Sequence, residues 1–258
     1  MAIAFDAVGP AGGGGSYTPN VSGSGGTGTW SHICTGSDLV LVAAMTLSRE
    51  ASGDVSGISA TVTYNGVAMT PFGAILAAGS NTAWLRGWYL EDPAVGTHDV
   101  VVTLAGTAVQ VRFLAGSISW SGAGTVENYT VQDPATTATN SPTCTVASAT
   151  DRQVFVAANH GADITAAAGG TTLRTLRNNS GTSSGDNFAM GSAVGAASVG
   201  LGFTSAADDH WALLGASITA AGGVDWPVSP VDNLGLTDTA AAGLPEYQIR
   251  YDYQIKAD

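Results

Sequence analysis

Lysine is almost missing from this chain. Lys256 stands alone beside seven arginines and twenty acidic residues, and the formal net charge is −12. A surface of that sign repels phosphate backbones, so nucleic acid is not expected as a partner. It repels anionic membrane surfaces for the same reason. Charged residues of both signs make up only 11% of the chain, where an average soluble protein has roughly 25%. No stretch approaches the roughly 20 apolar residues of a membrane-spanning helix, so no membrane insertion is expected. The opening Met1-Ala-Ile-Ala-Phe-Asp6 has no basic region and too short an apolar run for a secretory signal. The chain is therefore expected to be made in a cytoplasm without a signal peptide. There are two cysteines, Cys34 and Cys144, too few and too far apart for a secreted disulfide framework. A bond between them would close a loop of about 110 residues. Two buried free thiols are the other reading. Sustained helical periodicity is absent too, because Gly, Thr or Ser interrupts every Ala-rich piece.

What remains is a strand-forming composition. Thr, Val, Ser and 35 Gly dominate, which favours strands joined by tight turns. The 258 residues suffice for a sizeable core without forcing two domains. Leu39–Met45 is a continuous apolar run of the kind found in a buried strand. Within Ile58–Met69, Asn65-Gly66 lies between alternating residues, the strongest short hairpin signal. Further strands are read at Ile3–Val8, Ala83–Leu90, His98–Leu104, Ala108–Trp120, Phe188–Met190, Ala197–Phe203 and Trp211–Thr219, with a turn at Glu91–Gly96. The expected fold is all-β: an antiparallel, jelly-roll-like β-sandwich of two packed sheets with an extended C-terminal arm.

Three segments follow. Residues 1–29 hold an N-terminal strand and a Gly/Ser-rich loop. Residues 30–222 form the sandwich domain, and residues 223–258 the arm. The loop contains four consecutive glycines but no Lys-Ser/Thr and no helix behind it, so it is not a phosphate cradle. The two halves open alike. Ser31-His32-Ile33-Cys34-Thr35 precedes Leu39–Met45, and Ser141-Pro142-Thr143-Cys144-Thr145 precedes Val154–Ala158. This suits interleaved sheets or an old duplication.

The arm ends in the most strongly patterned stretch of the chain. Tyr247, Ile249, Tyr251, Tyr253 and Ile255 alternate with Gln248, Arg250, Asp252 and Gln254. In a strand, that pattern places three Tyr and two Ile on one face. Such a strand needs a sheet to join, and these five residues are the expected partner-binding set.

No catalytic or metal-binding constellation is read, and no cofactor is expected. Gly181-Thr182-Ser183-Ser184-Gly185 matches a nucleophile pattern but sits in a polar, turn-rich stretch rather than at a strand-to-helix turn. Asp208, Asp209 and His210, or His160 with Asp163, lack the spacing that dictates a metal site. Glu91 and Asp92 are adjacent, so on a strand they point apart rather than flank one glycosidic bond. Trp84, Trp88 and Tyr89 are candidates for stacking on a glycan, against the alternative of core packing.

Several stretches resemble a known module: Trp30–Ser37, Val62–Thr70, Trp88–Pro93, Gly96–Val102 and Trp211–Ile218. Residues 30–222 are similar to a jelly-roll-type β-sandwich of bacterial surface proteins and tailed-phage virion proteins. Val231–Asp238 resembles segments of minor tail proteins from phages of actinobacteria. The resemblance implies a virion protein, at the tail or tail tip, that displays a sandwich and docks by its arm. It implies other tail or capsid subunits as partners, and a homo-oligomer within the particle. A carbohydrate-binding module acting on a host cell-surface glycan, or a capsid decoration protein, is the alternative.

Overall fold

The computed structural model describes residues 2–10, 26–49, 55, 57–76, 83–106, 111–132, 138–178 and 187–222. The Gly181–Gly185 motif and the whole arm, including Tyr247–Ile255, lie outside the described residues. Met1–Gly223 forms one compact unit.

Every regular element among the described residues is a strand. The first nine are β1 (Ala4–Gly9), β2 (Thr27–Cys34), β3 (Val40–Arg49), β4 (Ser59–Tyr64), β5 (Val67–Ala68), β6 (Thr70–Leu76), β7 (Ala83–Glu91), β8 (Gly96–Ala105) and β9 (Val111–Ser121). Eight follow: β10 (Ala123–Gln132), β11 (Thr143–Ala147), β12 (Gln153–His160), β13 (Ile164–Gly169), β14 (Thr172–Arg177), β15 (Asn187–Val194), β16 (Ser198–Ser205) and β17 (Trp211–Ala220). The Asn65-Gly66 hairpin forms between β4 and β5, with φ of 49° and 78° at its two turn residues, as that turn requires.

The strands make four antiparallel sheets rather than the expected two. One inner sheet has the order β1-β9-β3-β7-β6, and the other β10-β17-β12-β15-β14. An outer sheet, β2-β8-β4-β5, covers the first, and β11-β16-β13 covers the second. The strand order of the first half therefore recurs in the second. β1, β9, β3, β7 and β6 correspond to β10, β17, β12, β15 and β14, and β2, β8 and β4 to β11, β16 and β13. Cys34 and Cys144 fall on the corresponding strands β2 and β11. Both thiols are free, buried in separate cores.

Side-chain parity builds this stack. On β3, Leu41, Ala43, Met45 and Leu47 face the first outer sheet. Val40, Val42 and Ala44 face the second inner sheet, against Phe155, Ala157, Leu214 and Ile218. A strand covered on both faces is buried at nearly every position, as β12, β15 and β17 are too. Outer strands have one wet face and alternate instead: β2 buries Gly28, Trp30, His32 and Cys34 and exposes the residues between. The central core also carries a polar tie between corresponding strands. Asn159 Nδ2 of β12 donates to Thr46 Oγ1 of β3, which donates in turn to the Trp84 carbonyl at 3.2 Å.

Candidate functional site

Among the described residues the first inner sheet ends at β6, which pairs only with β7. Pro71 and Gly73 fit an edge position, where a missing N–H and a bulge are tolerated. The pairing slips between Phe72 and Ala74, and Gly73 at the slip has φ of 56°, a conformation suited to glycine. Beside this bulge lies an open cleft of about 470 Å³, bounded by β6, by Arg86 and Trp88 of β7, and by Tyr129 and Val131 of β10. That volume lies within the range of small-molecule sites.

The floor of the cleft is aromatic. Phe72 meets Tyr129 edge-on with ring centroids 6.1 Å apart. It also meets Tyr89 at 6.0 Å and Phe155 at 6.3 Å. Gly87 makes room for the Phe72 ring, since a Cβ there would come within 2.8 Å of it. Tyr129 is 58% exposed. Among the described residues Arg86 is the one charged side chain lining the cleft. Its guanidinium carbon lies 4.3 Å from the Trp84 ring centroid, and its Nε is buried with no acceptor. Burial lowers the pKa of Arg86.

A second polar arrangement is sealed inside the first half. Ser119 Oγ donates to Asp6 Oδ2 at 2.7 Å, so Ser119 accepts from His32 Nε2–H at 2.9 Å. His32 Nδ1 is then free to accept from Ser117 Oγ at 2.8 Å, and Ser117 accepts from Trp30 Nε1–H at 2.9 Å. The chain of bonds runs one way, from Trp30 through Ser117, His32 and Ser119 to Asp6. Thr35 closes it, donating its N–H at 3.0 Å and its hydroxyl to the same carboxylate. His32 is 1% exposed. Burial pulls its pKa down to about 4, against the opposing pull of Asp6, so the ring is neutral at pH 7. The residue types are those of a hydrolase triad, but the arrangement is not. The carboxylate meets Ser119 rather than the imidazole, and the hydroxyls are enclosed between β1, β2 and β9. This chain of bonds fastens β1 to the body of the fold.

The other sequence candidates fall as follows. Trp84 and Trp88 are 1% and 3% exposed, in the core between the first outer and inner sheets. Stacking of a pyranose on either indole face would require that core to open. Tyr89 points the other way and packs against the central core. His160 is also buried: Nδ1 accepts from Ala162 N–H at 2.9 Å, and Nε2 donates to the Thr139 carbonyl at 2.9 Å. Asp209 Oδ1 accepts from the backbone N–H and Nδ1 of His210, at 2.8 and 2.9 Å, while Asp208 is exposed. Among the described residues no three His, Cys, Asp or Glu side chains converge as a metal site would need. Glu91 accepts from the Thr125 hydroxyl, and Asp92 takes the turn with φ of 48°.

Sequence reasoning missed both the cleft and the buried polar chain. Ser117 and Ser119 occupy inward positions of an otherwise apolar strand, a signal of a buried network. Pro71 with Gly73 in a strand-like stretch is the signal of an edge.

No family model, curated protein or solved structure matches the chain.

Proposed function

We propose that this chain is a structural, docking protein of a tailed-phage virion, at the tail or tail tip, with no enzymatic activity of its own. One observation carries the reading: a duplicated, layered β body ends at Gly223, and the strongest strand pattern in the sequence lies beyond it. The strand alternation supports a jelly roll in each half. In the first, β1, β9, β3 and β7, extended by β6 at the edge, form one sheet, and β2, β8, β4 and β5 the other. Jelly rolls recur in capsid and lectin domains. The acidic, lysine-poor surface agrees with a particle component that ignores nucleic acid. Tyr247, Ile249, Tyr251, Tyr253 and Ile255 supply the docking face, adding a strand to a neighbouring subunit or copy through backbone ladder bonds.

The test is Tyr251→Asp in the full chain, together with deletion of residues 224–258. Both proteins keep the melting temperature of the parent and fail to enter particles. A truncated protein that incorporates at normal copy number overturns the reading. So does cleavage of cell-wall polysaccharide by the purified chain.

A further inference from the structure

We propose that the cleft at the β6 edge is a binding site for an acidic saccharide, a sugar ring carrying one carboxylate, with Arg86 as its anion contact and Tyr129 as its stacking platform. The inference goes beyond the docking reading and does not depend on it.

The charge comes first. Arg86 is partly buried, and among the described residues it has no hydrogen-bond or acidic partner and is the sole charged group lining the cleft. The other arginines described with side chains are accounted for. Arg152 pairs with Glu127, Arg174 Nε donates to Ser192 Oγ at 2.9 Å, and Arg177 is exposed to water. A partly desolvated guanidinium whose buried Nε lacks an acceptor is costly, and a ligand carboxylate on its remaining nitrogens would offset part of that cost through a charge-assisted pair. The Trp84 ring, 4.3 Å from the guanidinium carbon, already restrains the Arg86 head group, which lowers the ordering cost of binding.

The shape points to a sugar rather than to an aliphatic acid. The cleft is an open groove, not an enclosed apolar tunnel. Its exposed aromatic, Tyr129, offers a flat apolar face to the C–H side of a pyranose. Among the described residues β6 has no strand on its outer side, so its edge carbonyls and N–H groups are available to ring hydroxyls. The net charge of −12 disfavours polyanions. A single carboxylate within a few ångströms of Arg86 is less affected, because distant surface charges are screened over about 8 Å at physiological ionic strength.

The experiment is calorimetric titration of the full chain with sodium glucuronate, with its neutral methyl ester, with glucose and with sodium hexanoate. The expected result is saturable binding of glucuronate, at least tenfold weaker binding of the ester and of glucose, and no saturation by hexanoate. Arg86→Gln abolishes the preference for glucuronate over its ester. Tyr129→Ala, on an exposed side chain that leaves the melting temperature unchanged, weakens glucuronate binding severalfold. Absence of saturation by glucuronate overturns the proposal, as does equal affinity for the ester. Hexanoate binding as well as glucuronate shows a carboxylate site with no sugar specificity and also overturns it. Should Arg86→Gln fail to fold, the ester comparison and Tyr129→Ala decide alone.

Discussion

Phe155 of β12 stands edge-on to Trp120 of β9, with ring centroids 6.4 Å apart and planes at 89°. Both are fully buried, and each comes from a different half of the chain. The contact therefore belongs to the core that holds the two inner sheets together. Edge-to-face pairs add about 0.5–1.5 kcal/mol to the burial of the rings themselves. Phe155→Ala is predicted to destabilise the protein by about 3–5 kcal/mol. Denaturant unfolding followed by tryptophan fluorescence measures it. A loss below about 1 kcal/mol would mean that the central core relaxes around the cavity and that this ring holds little.

Acid should weaken the fold through His32. Its folded-state pKa is held down to about 4, while the unfolded ring titrates near 6.5. The unfolded chain thus takes up the proton first. Stability is complete above about pH 6.5, falls as pH drops from there towards 4, and levels off below that. The share due to His32 is on the order of 3 kcal/mol. Unfolding midpoints at pH 8 and pH 4 for the parent and for His32→Gln isolate this share from that of the carboxylates. An equal drop in both proteins contradicts the assignment.

The two thiols are predicted to be inert in the native protein. Burial raises the pKa of Cys34 and pushes that of Cys144 up to about 12, so neither supplies appreciable thiolate at pH 8. An aromatic disulfide reagent should label neither until denaturant is added, and then label both. Adding reductant should leave the melting temperature unmoved. Rapid native labelling, or a shift with reductant, would show a different cysteine arrangement.

Two glycine substitutions in outer sheets should part company. A Cβ on Gly28 would lie 2.1 Å from Phe113 Cζ, in the packed space between β2 and β9. A Cβ on Gly200 meets nothing within 4 Å. Gly28→Ala is predicted to cost about 1–3 kcal/mol by overpacking, and Gly200→Ala to stay within about 0.5 kcal/mol of the parent. Thermal melts of the two variants check the contrast, and similar melting temperatures would refute it.

The strands buried on both faces were the most legible in the sequence. Leu39–Met45, Ala83–Leu90 and Trp211–Thr219 form within one to four residues of the expected ends. The structure has four sheets where two are expected, and the signal for more layers is present in the sequence. A two-sheet sandwich leaves each strand one wet face. Unbroken runs such as Leu39–Met45 and Val154–Ala158 already imply cover on both sides, and hence more than two layers. β6 escaped notice because Pro71 and Gly73 lower strand propensity at an edge, where pairing to β7 alone compensates. β10 escaped because Asn128, Tyr129 and Gln132 face solvent, leaving little apolar pattern to read. The site residues divide by a similar logic. Parity places Trp84 and Trp88 on one face, but only the covering outer sheet makes that face interior. The link from Asp6 to Ser119 joins residues 113 positions apart, a proximity that no local pattern encodes.

The recurrence of one strand order in both halves has a consequence for how the molecule behaves at low concentration. Two separate subunits meeting through the core around Phe155 and Trp120 would part on dilution, by mass action. Here the chain running from β9 into β10 makes that association intramolecular, so dilution cannot dissolve it. Joined halves are also released from matching each other. The polar chain that ends on Asp6 belongs to the first half's sheets alone, and it can vary without altering the other half's strands.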